Sequence, residues 1–196
     1  MTTTTKAMTL PRAIARNLVR GRAAANVLLV IGASLFIALA AQIAVPLPFT
    51  PVPMTMQPLA VILVGVTLGA NRGAATAMLY LLEGFSGLPF FALGHGGPVW
   101  ASAPTAGFLW SYPVAAWAAG RFSELNWGAT MLRAIAGMLA ALAIIYAGGW
   151  AWLATLTSPR VALASGVAPF VLADIVKVAL AAALLPSAQR LVESLA

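Results

Sequence analysis

Residues Pro169 to Leu185 read PFVLADIVKVALAAALL, a run that is apolar except for Asp174 and Lys177. It comes close to the roughly 20 apolar residues that a helix needs to cross a bilayer. An ionisable side chain in hydrocarbon costs roughly 2.5 to 3.5 kcal/mol on insertion scales, so such groups usually face a protein interior and serve a ligand or a pathway. At i,i+3 the two heads lie on one helix face and can neutralise each other. Neutralisation lowers the cost of the pair but gives it no reason to be there. Asp174 and Lys177 are therefore the first candidates for a functional site.

The whole chain has the same character. Of its 196 residues, 62% are hydrophobic and 8% charged, whereas a soluble domain carries about one quarter charged residues. The composition predicts an all-α integral membrane protein. A formal charge of +7 would suit nucleic acid if the cations shared a face with interleaved aromatics, but they sit at chain ends and in short turns. No nucleic-acid partner is expected. With no cysteine and one histidine, His95, there is no thiol framework and no cysteine- or histidine-based metal site.

Breakers divide the chain into six predicted transmembrane helices. Residues 1–26 form a basic segment holding Lys6, Arg12, Arg16, Arg20 and Arg22. The apolar run Val27 to Val45 that follows lacks a small-residue cleavage pattern, so it reads as a first span rather than a signal peptide. Pro46, Pro48, Pro51 and Pro53 end it, and Thr55 with Pro58 opens a short second helix to about Gly69. Ala70 to Gly73 is a turn into a third span ending near Gly84 to Pro89, and Gly87 to Pro104 is a long Gly/Pro-rich loop. Further spans are expected at about Thr105 to Gly120, Gly128 to Leu156 and Pro169 to Leu185, leaving 186–196 as a tail. The second and third spans are short for a crossing, so they either thin the bilayer or form a hairpin shielded by neighbours.

Charge bias orients these spans. With the N-terminus inside, nine cations fall on the cytoplasmic side (the five before the first span, Arg72, Arg121, Arg133 and Arg190), and only Arg160 falls outside. The positive-inside rule then puts both termini in the cytoplasm. Asp174 and Lys177 follow Pro169 by five and eight residues, which places them about 8 to 12 Å below the helix start, in the outer half of the membrane. A polar pair at that depth beneath a Gly/Pro-rich loop describes a pocket loaded from outside.

The motifs carry a resemblance. Val45 to Gln57 (VPLPFTPVPMTMQ), Gly87-Leu88-Pro89 with Gly94-His95-Gly96-Gly97, Pro104 to Gly107 (PTAG) and the Asp174-x-x-Lys177 pair together resemble BioY, the biotin-binding S component of energy-coupling factor (ECF) transporters. The likeness runs from about residue 30 to 185. Leu93 and Ala106 stand where the family pattern has glycine. The resemblance implies a multi-pass protein of the bacterial cytoplasmic (inner) membrane, with a transmembrane biotin-binding domain over 27–185, that captures biotin on the extracytoplasmic side. It further implies that Asp174, Lys177 and His95 contact the vitamin, and that a transmembrane coupling protein with two ABC-type ATPases supplies the energy.

The chemistry of the pair is compatible with that ligand. Biotin offers two urea N–H donors, a urea carbonyl and a carboxylate; an ionised aspartate only accepts and a lysine only donates. Asp174 is expected to accept from a urea N–H while Lys177 donates to an oxygen, either of the urea or of the carboxylate. Gln57, Tyr80, Gly94 and Gly96 are further substrate-binding candidates. Gln57 is equally suited to capping backbone, and His95 to a solvated loop. Phe90, Phe91 and Trp100 would line a ring pocket or serve as interfacial anchors.

Nothing matches G-x-x-x-x-G-K-[ST], so no ATP hydrolysis is expected in this chain. No cofactor and no enzymatic activity are expected either: there is no convincing nucleophile with an adjacent base. The small-residue pairs Ser34-x-x-x-Ala38 and Ala40-x-x-x-Ala44 are candidates for docking the coupling protein, since such spacing lets helix backbones approach closely. The alternative to an S component is a self-sufficient ion- or proton-coupled carrier that uses Asp174 and Lys177 as a relay.

Overall fold

A computed structural model describes residues 22–125 and 130–195, so the basic segment before Arg22 lies outside the described residues. The described residues are mostly helical: α1 Arg22–Gln42, α2 Gln57–Leu68, α3 Ala70–Phe85, α4 Ala106–Glu124, α5 Met131–Leu156, α6 Pro159–Gly166 and α7 Ala168–Leu195. Between α1 and α2 the prolines cannot continue a helix. There the chain makes a two-stranded antiparallel ribbon, β1 Ala44–Val45 and β2 Met54–Thr55, with Ala44 opposite Thr55 and Val45 opposite Met54. The ribbon closes the proline run 46–53 into a hairpin loop.

Several boundaries differ from the sequence expectation for local reasons. Thr55 belongs to β2, and its Oγ1 accepts the Gln57 N–H at 3.2 Å, so the second helix starts at Gln57. The turn expected at Ala70 to Gly73 is made by Gly69 alone (φ +84°), a conformation costly for any residue with a Cβ. Glu124 Oε1 then takes the orphan Ala70 N–H at 2.9 Å, which lets α3 begin at once. The segment around Arg160 is a short helix, α6, whose Ser158 hydroxyl accepts the Val161 N–H and which has Pro159 at its first position. α7 passes Leu185 and runs to Leu195, so most of the stretch expected as a tail is helical.

The core is one cluster. Ile37 of α1, Val61 and Ile62 of α2, Leu81 of α3, Met138 and Ile145 of α5 and Val178 of α7 are all buried in it. Glycines permit the tightest crossings. A Cβ on Gly120 would strike the backbone of Gly69 and Ala70, and one on Gly73 would lie 2.8 Å from Gly65 Cα. The α2–α3 hairpin therefore packs backbone to backbone against itself and against α4.

Helix α2 has 12 residues, about 18 Å at 1.5 Å per residue against a hydrocarbon core of about 30 Å. Val61, Ile62 and Val64 are buried within the bundle. Its neighbours thus cover much of α2. Among the described residues α5 alone is long and apolar enough for a crossing, and α6 with residues 168–183 passes that test as a pair bent by 41°. The outer surface is nevertheless apolar: Leu39, Leu132 and Leu172 are 70%, 77% and 76% exposed. An apolar surface of this extent suits lipid rather than water.

Candidate functional site

The loops 46–56 and 86–105 and the start of α7 meet at one end of the bundle around a cavity of about 160 Å³. Its walls are largely apolar and aromatic. The proline loop gives Pro51, Val52, Pro53 and Met54; the Gly/Pro-rich loop gives Phe91, Leu93, His95 and Trp100; α4, α5 and α7 add Phe108, Leu109, Tyr112, Ile145 and Phe170. A few polar groups converge on this surface, as ligand pockets require: Gln57, Tyr146, His95 and Asp174.

Asp174 is the charged member, and both its oxygens are held. Lys177 Nζ donates to Oδ1 at 2.8 Å, and the Tyr146 hydroxyl donates to Oδ2 at 2.7 Å. The Asp174 side chain is 7% exposed and that of Lys177 17%. A carboxylate oxygen accepts more than one hydrogen bond, so each keeps capacity for a donor in the cavity. Lys177 does not line the cavity. It stands behind Asp174 and gives a second N–H to the Thr55 carbonyl at 2.9 Å, which ties α7 to the ribbon.

His95 lines the cavity with its ring stacked on Trp100, centroids 4.3 Å apart. Its Nδ1 lies 2.8 Å from the Ala92 carbonyl oxygen. A carbonyl only accepts, so Nδ1 carries the proton and Nε2 is left for another partner. Gln57 also reaches the cavity while its Nε2 donates to the Tyr80 hydroxyl, which donates in turn to the Phe90 carbonyl at 3.0 Å.

Three sequence expectations need correction. Tyr80 is fully buried and is absent from the cavity wall; it braces Gln57 against the loop. Gly94 and Gly96 shape the backbone instead of facing the cavity: Gly94 has φ +73°, and a Cβ on Gly96 would strike the Leu88 carbonyl. Ser34, Ala38 and Ala40 point into their own bundle, at 0%, 6% and 8% exposure, and Ala44 lies beyond the helix in β1. An outward docking face cannot be built from side chains that the bundle already covers.

Tyr146 and Tyr112 are site residues that the sequence reading did not single out. The available signal was a phenol inside an apolar helix, whose O–H must find a partner. Leu93, at the position of a family glycine, adopts φ +62° and ψ +27°, the left-handed region that suits glycine and strains a branched side chain.

Comparison with known proteins bears on the chain's family and fold. The sequence pattern described as the BioY family matches residues 6–194. A protein of Pyrococcus horikoshii named probable biotin transporter BioY is 37% identical over 151 residues, covering 76% of this chain and 88% of that protein. The biotin transporter BioY of Rhizobium etli is 36% identical over 166 residues, covering 81% and 89%. The fold matches the crystal structure of the S-component for biotin from an ECF-type ABC transporter with a TM-score of 0.74 at 20% identity, over 88% of this chain and 95% of that one.

Proposed function

The chain belongs to the BioY family, and from that premise we propose that it is a biotin-binding S component of an ECF transporter. In this reading α1 to α5 and α7 are six transmembrane helices, both termini are cytoplasmic, and the cavity opens to the extracytoplasmic side of the bacterial inner membrane. The chain binds the vitamin; a transmembrane coupling protein and two ABC-type ATPases complete the transporter and hydrolyse ATP. Kinship does not favour the rival self-sufficient carrier.

The observation that carries the reading is the Asp174 carboxylate, an acceptor locked by Tyr146 and Lys177 on the wall of a mostly apolar cavity. A urea N–H of biotin meets Asp174 there, and its thioether ring packs against the aromatic wall. Lys177, behind the cavity wall, spends two of its three N–H groups on the Thr55 carbonyl and Asp174 and so holds the carboxylate in place for the ligand. His95 offers Nε2 from the loop. Charge-assisted hydrogen bonds of this kind are worth roughly 1.5 to 3 kcal/mol each when dry.

The test is equilibrium binding of biotin to the detergent-purified protein beside Asp174→Asn and Lys177→Met. Loss of binding in both variants is expected. Wild-type affinity in both would remove this site from the proposal.

A further inference from the structure

The Gly/Pro-rich loop is fastened unevenly. At its first end the Tyr80 hydroxyl holds the Phe90 carbonyl, and buried Phe91 packs edge-on against Tyr80 and Phe85 with centroids 5.7 and 5.1 Å apart. At its far end the indole N–H groups of Trp110 and Trp152 donate to the Ala101 and Ala103 carbonyls at 3.1 and 2.9 Å. Gly97 N–H is fixed to the Gly84 carbonyl at 2.8 Å. Between these anchors lies Ala92 to Gly96, a small flap closed on itself by Phe91 N–H to His95 O and His95 N–H to Ala92 O. Ala92, Leu93 and His95 of this flap line the cavity.

Among the described residues, one hydrogen bond ties the flap to the rest of the bundle: Gly94 N–H donates to Gln42 Oε1 at 2.9 Å. Gln42 is the last residue of α1. Its Nε2 points to the carbonyls of Ala38, Pro89 and Phe91 at 3.1, 3.3 and 3.2 Å, so the same side chain grips the root of the flap and its tip. A primary amide suits both tasks because it both donates and accepts. Gln42 is exposed, so water can replace these bonds at little cost, unlike the buried Tyr80 brace. Leu93, in its left-handed conformation, favours release.

We infer that Gln42 is the latch of a flap, Ala92 to Gly96, whose opening admits and releases the ligand. Because the latch sits at the end of α1, displacement of that helix end opens the flap. The identity of the ligand rests on the proposal above; the latch does not.

The chain has no cysteine, so Ala92→Cys places a single reporter thiol on the flap. Its labelling rate with a membrane-impermeant maleimide, measured without ligand, is compared in the parent, Gln42→Met and Gln42→Glu. Methionine keeps the length and loses both hydrogen-bonding roles; glutamate has no N–H for the Ala38, Pro89 and Phe91 carbonyls, whose oxygens repel its carboxylate and drive the side chain off the flap and out of reach of Gly94. Labelling at least fivefold faster in both variants is expected, and a smaller change in both overturns the latch. Should Gln42→Met fail to fold, as read by thermal unfolding, the near-isosteric Gln42→Glu decides alone. Biotin association and dissociation should both accelerate by a similar factor, leaving the affinity within about twofold of the parent, a pattern that general destabilisation would not give. If the parent does not bind biotin, the ligand assignment fails while the labelling comparison still decides the latch.

Discussion

Lys177 Nζ lies 2.9 Å from the carbonyl oxygen of Thr55, 122 positions earlier in the chain. The same ammonium holds Asp174 Oδ1, so one charge joins the last helix, the ribbon behind the proline loop and the cavity wall. Removing it leaves a poorly solvated carboxylate without its counter-ion, and breaking such a buried pair costs roughly 3 to 5 kcal/mol.

Lys177→Met should therefore destabilise the detergent-solubilised protein by about 3 kcal/mol, read by thermal or denaturant unfolding. Asp174→Asn in the Lys177→Met background should recover much of that loss while biotin remains unbound. Additive losses in the double variant would show that the two heads are not coupled.

Tyr146→Phe removes one charge-assisted hydrogen bond from Asp174 and frees Oδ2 to rotate. Biotin affinity should fall roughly 10- to 100-fold, corresponding to the roughly 1.5 to 3 kcal/mol of such a bond. Isothermal titration checks this; an affinity within twofold of wild type would count against a positioning role for the phenol.

Tyr80→Phe separates bracing from contact. It strips a donor from the Phe90 carbonyl and an acceptor from Gln57, at a cost of about 1 to 3 kcal/mol in stability. Because Tyr80 does not reach the cavity, the loss should appear in thermal unfolding more than in affinity measured well below the transition.

Gly120→Ala drives a methyl group into the backbone of Gly69 and Ala70. Overpacking of this kind costs about 1 to 3 kcal/mol. Lower thermal stability with biotin affinity retained at low temperature is the expected outcome, since the crossing lies at the Gly69 turn, away from the cavity.

The parts of the site legible in the sequence are those that violate local expectation. Asp174 and Lys177 stand out because charge in an apolar run is costly wherever the run ends up. The helix order is legible because proline and glycine act locally, and so is the Gly/Pro-rich loop. Tyr146 was not legible: a tyrosine in a hydrophobic helix looks the same whether it anchors at an interface or holds a carboxylate 28 residues away. Gln42, whose contacts lie 47 to 52 residues along the chain, gives no local sign of its role. The small-residue spacing of α1 was visible, but which side of the helix turns inward depends on packing that spacing alone does not encode.

The position of the charged pair also bears on how the protein is made. Asp174 precedes Lys177 by three residues on α7, so the acid and base emerge within one helical turn and can neutralise each other as soon as that turn forms. The earlier segments of the cavity are laid down first and stay without their carboxylate until that final helix arrives. On the proposed reading, a chain halted before α7 lacks the carboxylate that the ligand is to meet, so a truncation ahead of Ala168 should not bind biotin.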